Sequence, residues 1–177
     1  MNSESDSYPV RLGRFLFRIR GFIGTIAFVP LWLTGRPGLT SCLNSLTLII
    51  PGLLLRFWTA GYIGPESRQS SISASRIVSD GPYRYFRHPL YLGNFALVAG
   101  LVVALQPPAL LGLGVLAGFL LIYSLIARAE TDFLNRSVLK PVCAGFKLKY
   151  ALIEWQTWLV TLAALGLVLV KVLLFHR

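Results

Sequence analysis

The chain is poor in charge, and poorer still in acid. Of its 177 residues, 14% are charged, and only 7 are acids against 17 lysines and arginines. Soluble domains carry about 25% charged residues, whereas here 55% of residues are apolar and mean hydropathy is +0.65. A soluble domain this small could not bury so much apolar surface, and a disordered chain would be charge-rich and apolar-poor. Both are excluded, which leaves an integral membrane protein. Two cysteines, Cys42 and Cys143, are too few for a disulfide framework. Two histidines, His88 and His176, form no cluster for a metal, so none is expected. The first apolar stretch runs into Thr34-Gly35-Arg36-Pro37 rather than a small-x-small cleavage pattern. A glycine-rich nucleotide loop is missing too. The run 112–118 has glycines, but it follows no strand, has the wrong spacing and lies mid-span. Gly114 and Gly118, four apart, are expected to pack against a neighbouring helix.

Long charge-free runs are present in quantity. No charged residue occurs over the 39 positions 89–127, and Gln106-Pro107-Pro108 divides them. Since a crossing helix needs about 20 residues, this run predicts a tight helical hairpin, 89–105 and 108–127. Further spans are expected at 17–34, 39–62 and 155–175, with Lys171 snorkelling near the end of the last. The fold class is therefore all-α with five transmembrane helices, in a single domain over 1–177.

Basic residues test this layout. Counted from the N-terminal segment through each successive loop to the tail, they number 4, 1, 5, 0, 5 and 2. The alternation predicts a cytoplasmic N-terminus. It separates Cys42 from Cys143 on opposite faces, and it assigns the net charge of +10 to topology and lipid headgroups rather than nucleic acid. Trp32, Trp58, Trp155 and Trp158 fall near span ends, as interfacial anchors do.

The polar residues concentrate in two segments on the expected inner side, 64–88 and 128–154. The first ends in Asp80-Gly81-Pro82, a turn, and then Arg87-His88-Pro89. Proline suits the first position of a helix because its missing N–H would have no partner there. Tyr91 lies three places after His88 and four after Arg87, so all three can face one spot beside a helix N-terminus, which suits an anion. A cluster facing headgroups would look the same. The hairpin brings Glu130 to the depth of His88, either as an ion-pair partner of Arg87 or as an acceptor for a ligand's hydroxyls or ammonium. Arg56 stands in an otherwise apolar stretch and is a functional candidate by default, unless it sits near the inner end and snorkels.

The stretch GPYRYFRHPLYLG (81–93), with Glu130 after the hairpin, resembles the isoprenylcysteine carboxyl methyltransferase and phospholipid methyltransferase superfamily. LRFWTAGYIG (55–64) and ALIEWQTWL (151–159) also look like its small prokaryotic members. The resemblance covers most of the chain. It implies an integral membrane methyltransferase using S-adenosylmethionine without a Rossmann-like domain, working at the cytoplasmic face of a prokaryotic inner membrane. It further implies cofactor contacts from His88, Pro89, Tyr91, Gly93 and Glu130, to which Tyr83 of the same stretch is added, and a place for Arg87 near the cofactor or the reacting centre; Arg87, Glu130 and, from its place in an apolar stretch, Arg56 are the candidate catalytic residues. The implied acceptor is a lipidic or isoprenoid molecule reached from the bilayer, with carboxyl O-methylation favoured over amine N-methylation. An amine would need a base, for which Glu130, Asp132 or a tyrosine are candidates. The sequence departs from the family where a second acid would stand, at Thr131, and over 135–149, where only Tyr150 matches a shortened run. Two other readings stay open: a non-catalytic or ligand-binding homologue, and a reductase using NADPH.

Overall fold

The computed structural model describes residues 8–68, 77–136 and 140–175; Glu4, Asp6, Arg76, His176 and Arg177 lie outside them. The helices are α1 (Tyr8–Thr34), α2 (Leu39–Ile63), α3 (Pro89–Leu105), α4 (Ala109–Arg136), the single turn α5 (Leu148–Ala151) and α6 (Trp155–Phe175). Two short strands, β1 (Ile77–Val78) and β2 (Pro141–Val142), pair in parallel. Four segments are long and apolar enough to cross a membrane: Tyr8–Thr34, Leu39–Ile63, Ala109–Arg136 and Leu148–Leu174. Helix α3 is apolar but has 17 residues. At 1.5 Å each it reaches about 25 Å, against a hydrocarbon core of about 30 Å.

Local chemistry explains most of the helix ends. His88 stands at the N-cap position of α3 without a side-chain capping bond, and Pro89 opens the helix. At the far end Gln106 adopts a left-handed conformation (φ 46°) and donates its N–H to Val102 O, and Pro107 and Pro108 cannot continue the helix. Helix α1 begins well before position 17 and carries Arg11, Arg14, Arg18 and Arg20 on its first turns, consistent with the strong helix propensity of arginine. Helix α4 runs past Ala127 to Arg136, where Arg136 Nε and Nη2 reach Asp132 Oδ1 at 3.1 and 3.0 Å. Glu130 therefore sits on a continuous helix.

The hairpin turn is as short as expected, but its two helices part company. Helix α3 packs chiefly on α2, and α4 on α1. The reason is where small residues allow backbones to approach. A Cβ at Gly100 would lie 2.4 Å from Ile49 Cγ1, and one at Gly52 3.1 Å from Ala96 Cβ, which marks the α2–α3 seam. A Cβ at Gly13 would lie 2.3 Å from Leu125 O on the α1–α4 seam. The expected packing role of Gly114 and Gly118 is overturned, because a Cβ at either would meet nothing within 4 Å. Gly21 and Gly24 also face open space. Gly21, Gly24 and Gly118 border a cavity between the two helix pairs instead.

Two apolar clusters close the rest. Leu31, Ala104, Leu105 and Val168 pack at the Gln106 end, and Ile49, Leu53 and Leu97 meet Trp158 and Leu165 further along. The outward faces remain apolar, with Phe22 68% and Leu110 86% exposed, as expected of lipid-facing positions. Lys171 does not snorkel. It is 6% exposed and donates to the carbonyls of Trp32 and Leu33, the latter at 3.2 Å. It therefore caps the C-terminal carbonyls of α1, where a cation is favoured. Cys42 and Cys143 are both free thiols.

Candidate functional site

The cavity between the helix pairs has a volume of about 1090 Å³. Its polar end is built by α3 and α4. His88 Nδ1 lies 3.2 Å from Glu130 Oε2, and Tyr91 Oη donates to the same oxygen at 2.8 Å. The His88 and Tyr91 rings stack with centroids 5.5 Å apart. Their spacing of three along α3 creates this pair, and the antiparallel run of α4 brings Glu130 to it. The ion pair between Glu130 and Arg87 is not what forms: His88 and Tyr91 hold the carboxylate, while Arg87 is exposed on the cavity lining. Tyr83 and Pro89 also line the cavity.

Seven residues before Glu130, thus on the same face of α4, stands Tyr123. Its ring meets Tyr91 edge-on at 5.1 Å and stacks on Phe119 at 4.0 Å. Asn94 Nδ2 donates to Tyr123 Oη at 3.2 Å. The carbonyl of Asn94 accepts from Arg56 Nη1. Arg56 is buried and does not snorkel: its Nε and Nη2 donate to Glu154 Oε2 at 3.0 and 2.6 Å, and Nη2 also donates to Thr157 Oγ1 at 3.2 Å. Thr157 in turn donates to Glu154 Oε2 at 2.8 Å. Glu154 is fully buried. One polar chain thus joins α6, α2, α3 and α4 through a region otherwise lined by Leu97, Val98, Leu101, Val115 and Phe119.

Gly93 does not line the cavity. A Cβ there would lie 2.6 Å from Arg56 Cγ, so the residue exists to let the arginine stem pass between α2 and α3. The stem cannot yield easily, because Glu154 pins its head. Gly93→Ala should cost about 1–3 kcal/mol, the range for overpacking a filled interior. The check is a lowered melting temperature of the purified protein in detergent.

The segment after Glu130 is tied to the segment before α3. Asp80 Oδ1 and Oδ2 accept from the backbone N–H groups of Ala144 and Gly145 at 3.0 and 2.9 Å, and Ser79 N–H donates to Val142 O at 3.2 Å. Lys147 N–H donates to Gly61 O at 2.9 Å, and Phe146 packs on Phe57 and Tyr62. Gly81 holds φ +58° with Tyr62 against it, a conformation and a space that both exclude a side chain. Tyr150 packs beside Gly64 rather than in the cavity, and Asp132, one of the three candidate bases, is engaged by Arg136 outside it. Among the described residues no group of three or more His, Cys, Asp or Glu side chains could hold a metal ion.

Sequence reasoning missed Asn94, Tyr123, Glu154 and Thr157. A signal existed for three of them. Asn94 and Tyr123 are polar side chains inside apolar runs, and Glu154 is one of only 7 acids. Thr157 carried no such signal.

Comparison with known proteins gives one family. The phospholipid methyltransferase family model matches residues 41–138, more than half of the chain. The nickel-cobalt-cadmium resistance protein NccN of Alcaligenes xylosoxydans xylosoxydans is 35% identical over 82 residues, which are 46% of this chain. The match covers 35% of that relative's own length. No solved structure matches.

Proposed function

The chain belongs to the phospholipid methyltransferase family, and we propose that it transfers a methyl group from S-adenosylmethionine to a lipidic acceptor. The observation that carries this is the two-part character of a single cavity. At one end stand a carboxylate, an imidazole, a tyrosine and a helix N-terminus; beyond them lies an apolar bore between membrane-length helices.

The donor set fits the cofactor. Glu130 can accept from the ribose hydroxyls or the ammonium, and the stacked His88 and Tyr91 rings offer an aromatic face to a cation. Arg87, Tyr83 and the start of α3 suit the carboxylate. When bound, S-adenosylmethionine supplies a methyl carbon activated by the sulfonium: the acceptor's lone pair forms the new bond to carbon, and the C–S pair returns to sulfur as a thioether. The chain's own contribution is orientation, since in-line displacement at carbon depends on holding the partners about 3–3.5 Å apart and aligned. The protein need not remove a proton if the acceptor is a carboxylate, which is ionised at neutral pH, and carboxyl O-methylation is therefore the favoured reaction. The apolar bore would hold the acceptor's tail.

Helix α3 serves in this reading as a fifth, short crossing, with the N-terminus and the site on the cytoplasmic side of a prokaryotic inner membrane. The alternating basic counts support that orientation.

The test is transfer of labelled methyl from S-adenosylmethionine to a host lipid extract by the purified protein. The expected product is a lipid whose label is released by mild base, as a methyl ester is. Stable label would mean N-methylation. Absence of transfer, together with no thermal stabilisation by S-adenosylhomocysteine, would leave the non-catalytic reading standing; stabilisation by NADPH would favour the reductase.

A further inference from the structure

The polar chain from Glu154 to Tyr123 has a direction, set by what its members can donate. A guanidinium has no acceptor, so the Asn94 atom that faces Arg56 is the carbonyl oxygen. The other end of the amide, Nδ2, can only donate, and it lies 3.2 Å from Tyr123 Oη. Arg56 therefore settles an amide orientation that would otherwise be ambiguous. Tyr123 Oη is the acceptor in that bond, and its own proton must go elsewhere. The phenol lines the cavity, so the proton is available there. Upstream, Arg56 polarises the amide, and Glu154 and Thr157 hold Arg56 in place.

Tyr91 has the opposite polarity. Its proton is committed to Glu130 Oε2 at 2.8 Å, so it presents lone pairs only. The two phenols, with ring centroids 5.1 Å apart, thus give the cavity one accepting wall and one donating wall. The accepting wall, with Glu130, suits groups that bear protons. The donating wall suits an anionic oxygen and lies toward the apolar bore. An amine acceptor is poorly served by that wall: protonated, it has no lone pair to receive the Tyr123 proton, and neutral, its single lone pair is the nucleophile, which a bond from Tyr123 would occupy. A carboxylate has two oxygens, so one can take the Tyr123 proton as a hydrogen bond while the other attacks.

We infer that Tyr123 is a specificity-determining donor for a carboxylate on the acceptor, with Asn94 and Arg56 as positioning residues behind it. The inference rests on the methyltransferase reading and gives that site its acceptor chemistry. It predicts preference for an anionic amphiphile over its amine counterpart.

The experiment uses the full chain in nonionic detergent, saturated with S-adenosylhomocysteine, and titrates dodecanoate and dodecylamine while following thermal stabilisation. Wild type should bind dodecanoate and discriminate against dodecylamine. Tyr123→Phe keeps the ring and removes the proton, and should lose about tenfold in dodecanoate affinity, the order of one hydrogen bond to a charged group. Asn94→Asp keeps the size but reverses the chain: the new carboxylate accepts from both Arg56 and Tyr123, drawing the phenolic proton away from the cavity. It should show the same loss. Unchanged dodecanoate affinity in either variant overturns the inference, as does dodecylamine binding as tight as dodecanoate, or binding of neither. Failure of wild type to bind S-adenosylhomocysteine overturns the methyltransferase reading instead, so the two failures are separable.

Discussion

Glu130→Gln is expected to lower affinity for S-adenosylhomocysteine by about 10- to 100-fold, with melting temperature in the apo state changed little. The expectation follows from what the carboxylate does. One oxygen, Oε2, accepts from Tyr91 Oη and lies 3.2 Å from His88 Nδ1, and the side chain is 28% exposed, so the residue is open to the cavity while being held in one orientation. A hydrogen bond to a charged group is worth about 1.5–3 kcal/mol, which sets the range of the loss. Glutamine keeps the shape, and its carbonyl oxygen can take the place of Oε2 and still accept from Tyr91, so the fold should survive. Isothermal titration with S-adenosylhomocysteine measures the first quantity and thermal unfolding the second. Retained affinity would show that Glu130 serves only to order His88 and Tyr91.

The second large effect concerns stability. Arg56→Met and Glu154→Leu, made singly, should each destabilise by about 3–5 kcal/mol, because each leaves a charge buried among apolar side chains without its counter-charge. The pair is nearly wholly buried, with side-chain exposures of 7% and 0%, and in a bilayer the orphaned charge could not easily reach water. The double variant should recover most of the lost stability, since two well-packed apolar residues often replace a buried ion pair at no net cost. It should not recover acceptor binding, because Asn94 would no longer be held by a cation. Melting curves of the two single variants and the double variant form the test. A double variant as unstable as the sum of the singles would mean that the two residues act independently.

These two predictions differ in how far the sequence could have carried them. Glu130 was legible. Acids are few, one falls at the C-terminal end of a long apolar run, and a helix–turn–helix of known length brings it level with His88. Arg56 was legible as an anomaly and illegible as an interaction. A charge in an apolar stretch can be read from hydropathy, but its partner lies 98 residues away. Nothing local to either residue points to the other. The aromatic and amide side chains between them, Tyr123 and Asn94, are polar exceptions within apolar runs, and nothing local relates one to the other before the two helices are placed side by side. The pairing of Arg87 with Glu130, one of the two roles open to that acid, fails for a related reason. Charge type allowed it, but His88 and Tyr91, three apart on α3, both reach Glu130 while Arg87 is left exposed.

The sequence by itself determined that the chain lives in a membrane, where most helices run, and at which of their ends the polar side chains gather. These follow from properties that each residue contributes alone and that add along the chain: transfer free energy, proline's missing donor and the scarcity of acids. Only the tertiary structure decided which glycines meet a neighbour and which border empty space, why the hairpin's helices splay onto α1 and α2, and which way the hydrogen bonds of the Arg56 chain run. Those depend on the rotation of each helix about its axis and on contacts between distant segments, and neither is written in the order of residues. The cavity is the product of that second kind of information, since two close-packed helix pairs and α6 line it, with the small residues at Gly13, Gly52 and Gly100 on the seams and those at Gly21, Gly24 and Gly118 facing its space.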